Sequence, residues 1–171
     1  MRSAGFLGMG GQGIVFAATV LGETLYRLGY YVAQLQNYGA SVRGGAVYGY
    51  VVFDENEIVN PFIEELEVLV ILHEQGRKRW ENIVSKSKKI IYDKDLVKPV
   101  ENGIALPIAK EADKHGVYKA LNIVALGIAS RILGVKGIDE AVDEVLRSKK
   151  NYELNIKAYR LGGKLAHRIK G

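Results

Sequence analysis

The 171-residue chain contains no cysteine, only two methionines and a single tryptophan. It also lacks any apolar run approaching the roughly 18 residues that a membrane-spanning helix needs. The missing cysteine excludes disulfides, cysteine-ligated zinc and a cysteine-ligated iron–sulfur cluster held by this chain. Redox work through such a cluster therefore belongs to another polypeptide. His73, His115 and His167 are far apart and lack metal-ligand spacing. No nucleophile–base pair, no paired carboxylates and no phosphate-loop lysine stands out. These absences argue against an enzyme that works alone. Met1-Arg2-Ser3-Ala4-Gly5 leads directly into a glycine cluster and does not read as a signal peptide. The expected location is the cytoplasm, with no membrane partner.

What is present suits a globular protein: 48% hydrophobic residues, 25% charged residues and a mean hydropathy near zero. The length fits one domain over residues 1–171, large enough to fold without staples. The net charge is +5. Its cations spread from Lys78 to Lys170 among Glu and Asp, which reads as a solvated surface with room for partner docking and not as a nucleic-acid face.

Residues 3–7 form a short candidate strand that ends at Gly8-Met9-Gly10-Gly11-Gln12-Gly13. Ile14, Ala17, Ala18, Leu21, Leu25 and Leu28 then recur at helical spacing, and Gly29 is a stop signal. Residues 30–35 suit a second strand. This strand–loop–helix–strand unit predicts two parallel neighbours joined by a right-handed crossover. Residues 46–53 read as a long strand, with 58–59 pairing back after a turn. The run 67–72 suits a strand buried on both faces. A helix over 74–86, strands at 88–92 and 104–106, and helices over 107–115, 118–133, 138–148 and 151–169 complete the pattern. The expectation is an α/β fold of three layers, Rossmann-like, with a mostly parallel sheet, an antiparallel insertion near 46–59 and a helical C-terminus.

Gly8-x-Gly10-x-x-Gly13 has dinucleotide-binding spacing. Glycines permit a tight turn and close backbone approach, and the following helix offers free N–H groups to an anion. The motif also calls for an acidic residue about 20 positions on, but the second strand ends in Ala33-Gln34-Leu35-Gln36. Three readings stay open: a tight turn, an anion or partner site, and a nucleotide site. The second unusual segment is Asn37-Tyr38-Gly39-Ala40-Ser41-Val42-Arg43-Gly44-Gly45. It should lie at the carboxyl end of the second strand, where open α/β sheets bind ligands, beside the first loop. Arg43 ahead of two glycines suits a phosphate or carboxylate.

These residues resemble a known family. Gly8-Met9-Gly10-Gly11-Gln12-Gly13 is similar to the Gly-x-Gly-Gly-Gln-Gly signature of 2-oxoacid:ferredoxin oxidoreductase γ subunits. Tyr38-Gly39-x-x-x-Arg43-Gly44-Gly45 resembles the family's second signature, although members often carry Pro-Glu where this chain has Ala40-Ser41. Asn122 to Gly127 and Asn151 to Gly162 resemble its C-terminal helices. The resemblance implies a subunit of a complex that converts a 2-oxoacid, 2-oxoglutarate or a related one, and coenzyme A to acyl-CoA and carbon dioxide. Thiamine diphosphate and iron–sulfur clusters would sit on partner α and β chains, and a δ chain where there is one, with ferredoxin taking the electrons. Gly8, Gly10, Gly11, Gln12, Gly13, Tyr38, Arg43, Gly44 and Gly45 would help to enclose coenzyme A. Two other functions remain open: a free-standing nucleotide-binding or regulatory domain, and a purely structural docking subunit.

Overall fold

A computed structural model describes residues 1–39 and 45–169. Five residues of the second loop, Ala40 to Gly44, lie outside the described residues. In chain order the elements are β1 (Arg2–Met9), α1 (Ile14–Arg27), β2 (Tyr31–Tyr38), β3 (Ala46–Asp54), β4 (Val68–Ile71), α2 (Glu74–Arg79) and α3 (Glu81–Lys86). They continue with β5 (Lys89–Asp93), β6 (Gly103–Leu106), α4 (Ile108–Lys114), α5 (Leu121–Leu133), α6 (Ile138–Arg147) and α7 (Tyr152–Ala166).

The six strands form one sheet in the order β2-β3-β1-β4-β5-β6. Strand β3 is antiparallel to both neighbours, and the pairs from β1 to β6 are parallel. Strands β1 and β2 therefore run the same way, as their linking helix requires. They are not neighbours, which corrects the expectation from the local pattern, because β3 inserts between them. Burial explains the choice. Eight of the nine residues of β3 are buried, whereas β2 places Gln34, Gln36 and Asn37 in solvent. An apolar strand belongs inside the sheet, and a glutamine-bearing one at its edge. The expected strand at 58–59 is absent; Val59 is 95% exposed.

Side-chain alternation along the strands divides the core into two layers. On one face Phe6, Val51, Phe53, Val68, Val70 and Ile91 meet α1 and α4 to α7. On the other, Leu7, Tyr48, Tyr50, Leu69 and Ile71 meet the short α2–α3 pair, the segment before β4, and Val97 and Val100 from the segment after β5. The single helix expected over 74–86 breaks at Trp80, which leaves helical geometry at ψ 44°. The break turns the indole onto Tyr48, with ring centroids 5.6 Å apart, while Ile83 and Val84 reach the same cluster.

Two details fix the thick face. Asp93, fully buried at the end of β5, accepts the Ala109 N–H at 2.6 Å and those of Asp95 and Leu96 at 2.8 Å. It thereby ties β5 to the start of α4. Helices α5 and α7 cross at Gly127 and Gly162 so closely that a Cβ at either would strike a carbonyl oxygen of the other helix, from Tyr159 or Val124.

Candidate functional site

Strand β1 delivers the glycine loop to the carboxyl edge of the sheet. Helix α1 leaves it on one face, while β4, beside β1, connects onward through α2 and α3 on the other. The loop thus stands where the chain departs to opposite faces, the place where open α/β sheets bind ligands. At the same edge β3 begins. The Gly10 N–H donates to the Gly45 carbonyl at 2.8 Å and extends the β1–β3 ladder past Met9 and Ala46. Gly10, Gly45 and the end of β2 at Tyr38 and Gly39 are therefore brought together, and Gly39 is joined to Ala46 by a 2.8 Å backbone bond. The convergence of the two loops runs through β3 and not through adjacent β1 and β2. Arg43 and Gly44 lie outside the described residues.

Within the loop, Gln12 folds back over β1. Its Oε1 accepts the Met9 N–H at 2.7 Å, and its own N–H donates to the Met9 carbonyl at 3.1 Å. A Cβ on Gly8 would lie 2.6 Å from that Oε1 and 2.6 Å from the Ile14 side chain. The space that glycine opens at this position is filled from within by Gln12 and Ile14. Three N–H groups, those of Met9, Gly10 and Gln12, are thus consumed inside the protein. Those of Ile14, Val15 and Phe16 in the first turn of α1 receive no side-chain cap and no backbone partner among the described residues. Helix starts of this kind favour anions. Gly13, at φ 68°, sets the angle of entry into α1, and Asn122 holds it by donating Nδ2–H to the Gly13 carbonyl at 3.0 Å.

Around this edge the chain supplies charge and support. A hollow of about 500 Å³ beside the start of α1 is lined by Phe16, Asn122, Asn155, Lys119, Lys149 and Lys150. Behind the loop, Gly76 of α2 packs on β1, and a Cβ there would come within 2.8 Å of the Gly8 nitrogen. His73 ends the β4 segment and accepts the Gln75 N–H through Nδ1 at 3.2 Å. Glu74 makes a two-pronged pair with Arg77, at 2.9 and 2.7 Å, and accepts the Lys98 N–H at 3.0 Å. The Arg77 guanidinium, with help from that N–H, holds the Glu74 carboxyl down at about 2. Sequence reading passed over Asn122, Gly76 and the lysine hollow as parts of this edge, because each comes from an element far along the chain. A larger hollow of about 640 Å³ lies between α5, α6 and α7 and includes none of the loop residues. Among the described residues no cluster of His, Asp or Glu is placed to hold a metal ion, and no helix is long and apolar enough to cross a membrane.

Residues 3–165 match the family described as pyruvate ferredoxin/flavodoxin oxidoreductase. The chain belongs to that family. Within it, the chain is 30% identical over 164 residues to a 2-oxoglutarate synthase subunit KorC of Archaeoglobus fulgidus, spanning 95% of this chain and 86% of the relative. It is similar in structure to the γ subunit of a keto/oxoacid ferredoxin oxidoreductase from Geobacter sulfurreducens. That match has a TM-score of 0.74 and 25% identity, and covers 99% of this chain and all of the other. A third likeness concerns the fold alone. A 2-oxoglutarate:ferredoxin oxidoreductase chain from Magnetococcus marinus superposes with a TM-score of 0.84 at 19% identity, over 99% of this chain and 31% of the longer one.

Proposed function

We propose that the chain acts as the γ subunit of a 2-oxoacid:ferredoxin oxidoreductase and lines the coenzyme A site of the assembled complex. The carrying observation is the family match over residues 3–165, which includes a glycine loop at the ligand-binding edge of the sheet. In this reading the first turn of α1 and the lysines beside it attract the phosphates of coenzyme A. Arg43, with Gly44 and Gly45, approaches from the second loop. The chain contributes binding and exclusion of water; thiamine diphosphate chemistry takes place on partner α and β chains, and electron transfer to ferredoxin runs through clusters on partner subunits. The name of the Archaeoglobus relative favours 2-oxoglutarate among the oxoacids.

The arrangement of Gln12 speaks against a free-standing dinucleotide-binding role. Its side chain folds back and takes up the Met9 N–H inside the loop, and β2 carries Gln34 and Gln36 where a ribose-binding acid would stand. The test is reconstitution with the partner chains, followed by assay of 2-oxoacids with coenzyme A and a ferredoxin or viologen acceptor. Turnover should require this chain and should be absent when it is alone. Replacing Arg43 by alanine should weaken apparent coenzyme A affinity about 10- to 150-fold, as expected for loss of one charged hydrogen bond, with thiamine binding unchanged. An unaltered Michaelis constant for coenzyme A would remove Arg43 from the site, and oxidation of a 2-oxoacid by the isolated chain would refute the subunit reading.

A further inference from the structure

The edge strand β2 is uncharged along its whole length, Tyr31-Val32-Ala33-Gln34-Leu35-Gln36-Asn37-Tyr38. It contains no lysine, proline or bulge of the kind that normally protects a sheet edge. Among the described residues it pairs with β3 on one side only, so alternate backbone N–H and C=O groups along its eight residues face outward. Such a row is a template for the addition of another extended strand.

The register with β3 tells which β2 side chains share a face. Val32, Gln34, Gln36 and Tyr38 stand opposite Phe53, Val51, Gly49 and Val47, on the side covered by α1. Tyr31, Ala33, Leu35 and Asn37 lie on the other side. At the start of β2, a hollow of about 480 Å³ is lined by Tyr26, Gly29, Tyr30, Tyr31 and Val32, of which Val32 lies on the α1 side. At the far end of the strand, on that same side, Tyr38 is 62% exposed.

The geometry points to a second copy of this chain as the occupant of this edge, with two β2 strands pairing antiparallel about a two-fold axis normal to the sheet. Such an axis keeps each face continuous across the seam, so facing residues must both be odd or both be even. Centring the axis on Gln34 sets Tyr38 of one copy opposite Tyr30 of the other; centring it on Leu35 sets Tyr38 opposite Val32. In either register the exposed Tyr38 enters the tyrosine hollow of the second copy, and the relation is reciprocal, as a closed dimer demands. The seam is also free of like-charge repulsion, although each chain carries +5. At about 200 Å² per tyrosine, the exposed fractions of Tyr26 (74%), Tyr31 (53%) and Tyr38 (62%) leave roughly 380 Å² per copy, about half of the ~800 Å² per partner that a stable interface buries. The strand backbone and the half-buried Val32 and Leu35 add to it.

The natural absence of cysteine makes the test clean. Paired antiparallel residues bring their Cα atoms to within disulfide reach. Gln34→Cys and Leu35→Cys are therefore introduced singly into the full chain, with Glu101→Cys, exposed just before β6 at the opposite edge of the sheet, as the control. Sedimentation velocity of the unmodified chain should show a dimer that dissociates on dilution. One of the two edge variants should cross-link under mild oxidation at least tenfold faster than the control. Gln36→Lys and Tyr38→Ala should each weaken dimerisation tenfold or more while the far-ultraviolet circular dichroism stays unchanged. A chain that is monomeric at all concentrations, or edge variants that cross-link no faster than Glu101→Cys, overturns the proposal. Protection of β2 that arises only on adding partner chains also overturns it, and assigns the edge to a strand of another subunit.

Discussion

Two places in this molecule depend on glycine, and they depend on it for different reasons. In the loop between β1 and α1, Gly13 turns the chain through positive φ, and Gly8 makes room for the side chains of Gln12 and Ile14. At the crossing of α5 and α7, Gly127 and Gly162 have ordinary helical backbone; they are needed because two helices touch through their main chains. The loop glycines lie close together and form a motif that can be read directly. The crossing glycines are 35 positions apart by numbering, and nothing local marks either one. Glycine for a turn leaves a signature in sequence, whereas glycine for close approach leaves one only after the partner surface is known.

The sharpest test of that contrast is Gly127→Ala. Its methyl group meets the carbonyl of Tyr159 on a neighbouring helix, and backbone on both sides leaves no flexible group to yield. The expected cost is about 3 kcal/mol or more, read as a lower urea midpoint for the isolated chain. Gly163→Ala, one residue from Gly162 and facing open space, should be neutral or slightly stabilising through helix propensity. Equal effects at Gly127 and Gly163 would show that the helices do not cross this closely.

Gly8→Ala probes the loop by the same steric route with a softer obstacle. The methyl group displaces the Gln12 amide and the Ile14 side chain, at a cost of about 1–3 kcal/mol. The loss should be smaller than at Gly127 because Gln12 is half-exposed and can swing away. Pairing Gly8→Ala with Gln12→Ala checks this account: if Gln12 is the obstacle, the two costs combine to less than their sum.

The legible and illegible parts of the fold divide along similar lines. Helix α1, helix α6 and the buried β4 could be placed within a residue or two because their periodicity is local. The position of β3 between β1 and β2 could not, since it follows from comparing the burial demands of two strands with each other. The α2–α3 break at Trp80 depends on Tyr48, more than thirty positions away. At the candidate site, the two glycine motifs were visible in sequence and their meeting was expected from adjacent β1 and β2, whereas it runs through β3. The support from Asn122, Gly76 and the lysine hollow required three distant elements to be seen in place. The fold of the Gln12 side chain over Gly8 leaves no mark in the sequence and is visible only in three dimensions.

Glu74 gives a pH-dependent view of the support behind the loop. It anchors the start of α2, whose Gly76 backs Gly8. Its carboxyl is held at about 2, below the ordinary value of 4.5, chiefly by Arg77. A depressed carboxylate pKa stabilises the fold above the unfolded value, and that contribution fades as pH falls through 4.5 toward 2. Glu74→Gln should therefore cost about 1–2 kcal/mol near neutral pH and progressively less in acid. Urea titrations of both chains at several pH values should show the gap between the two midpoints shrinking as pH falls below 4.5 and closing only near pH 2. A gap that persists there would mean that Glu74 acts through packing and not through its charge.

Gly11 should give the smallest effect on stability and the most direct reading of what the loop is for. It lies at φ 88°, exposed, and a Cβ there would touch nothing within 4 Å. The only folding penalty of Gly11→Ala is the positive φ, about 1 kcal/mol, without the collisions that follow at Gly8 or Gly127. Its N–H has no partner among the described residues, unlike those of Gly10 and Gln12. If the loop serves only to turn the chain, the variant complex should keep its Michaelis constant for coenzyme A and show only the small drop in midpoint. If the open stretch from Gly11 into α1 lies against a bound phosphate, the added methyl group and the shifted backbone should raise that Michaelis constant severalfold, with little change in turnover at saturation. The two readings thus separate at a position where stability hardly moves, which neither Gly8 nor Gly127 allows.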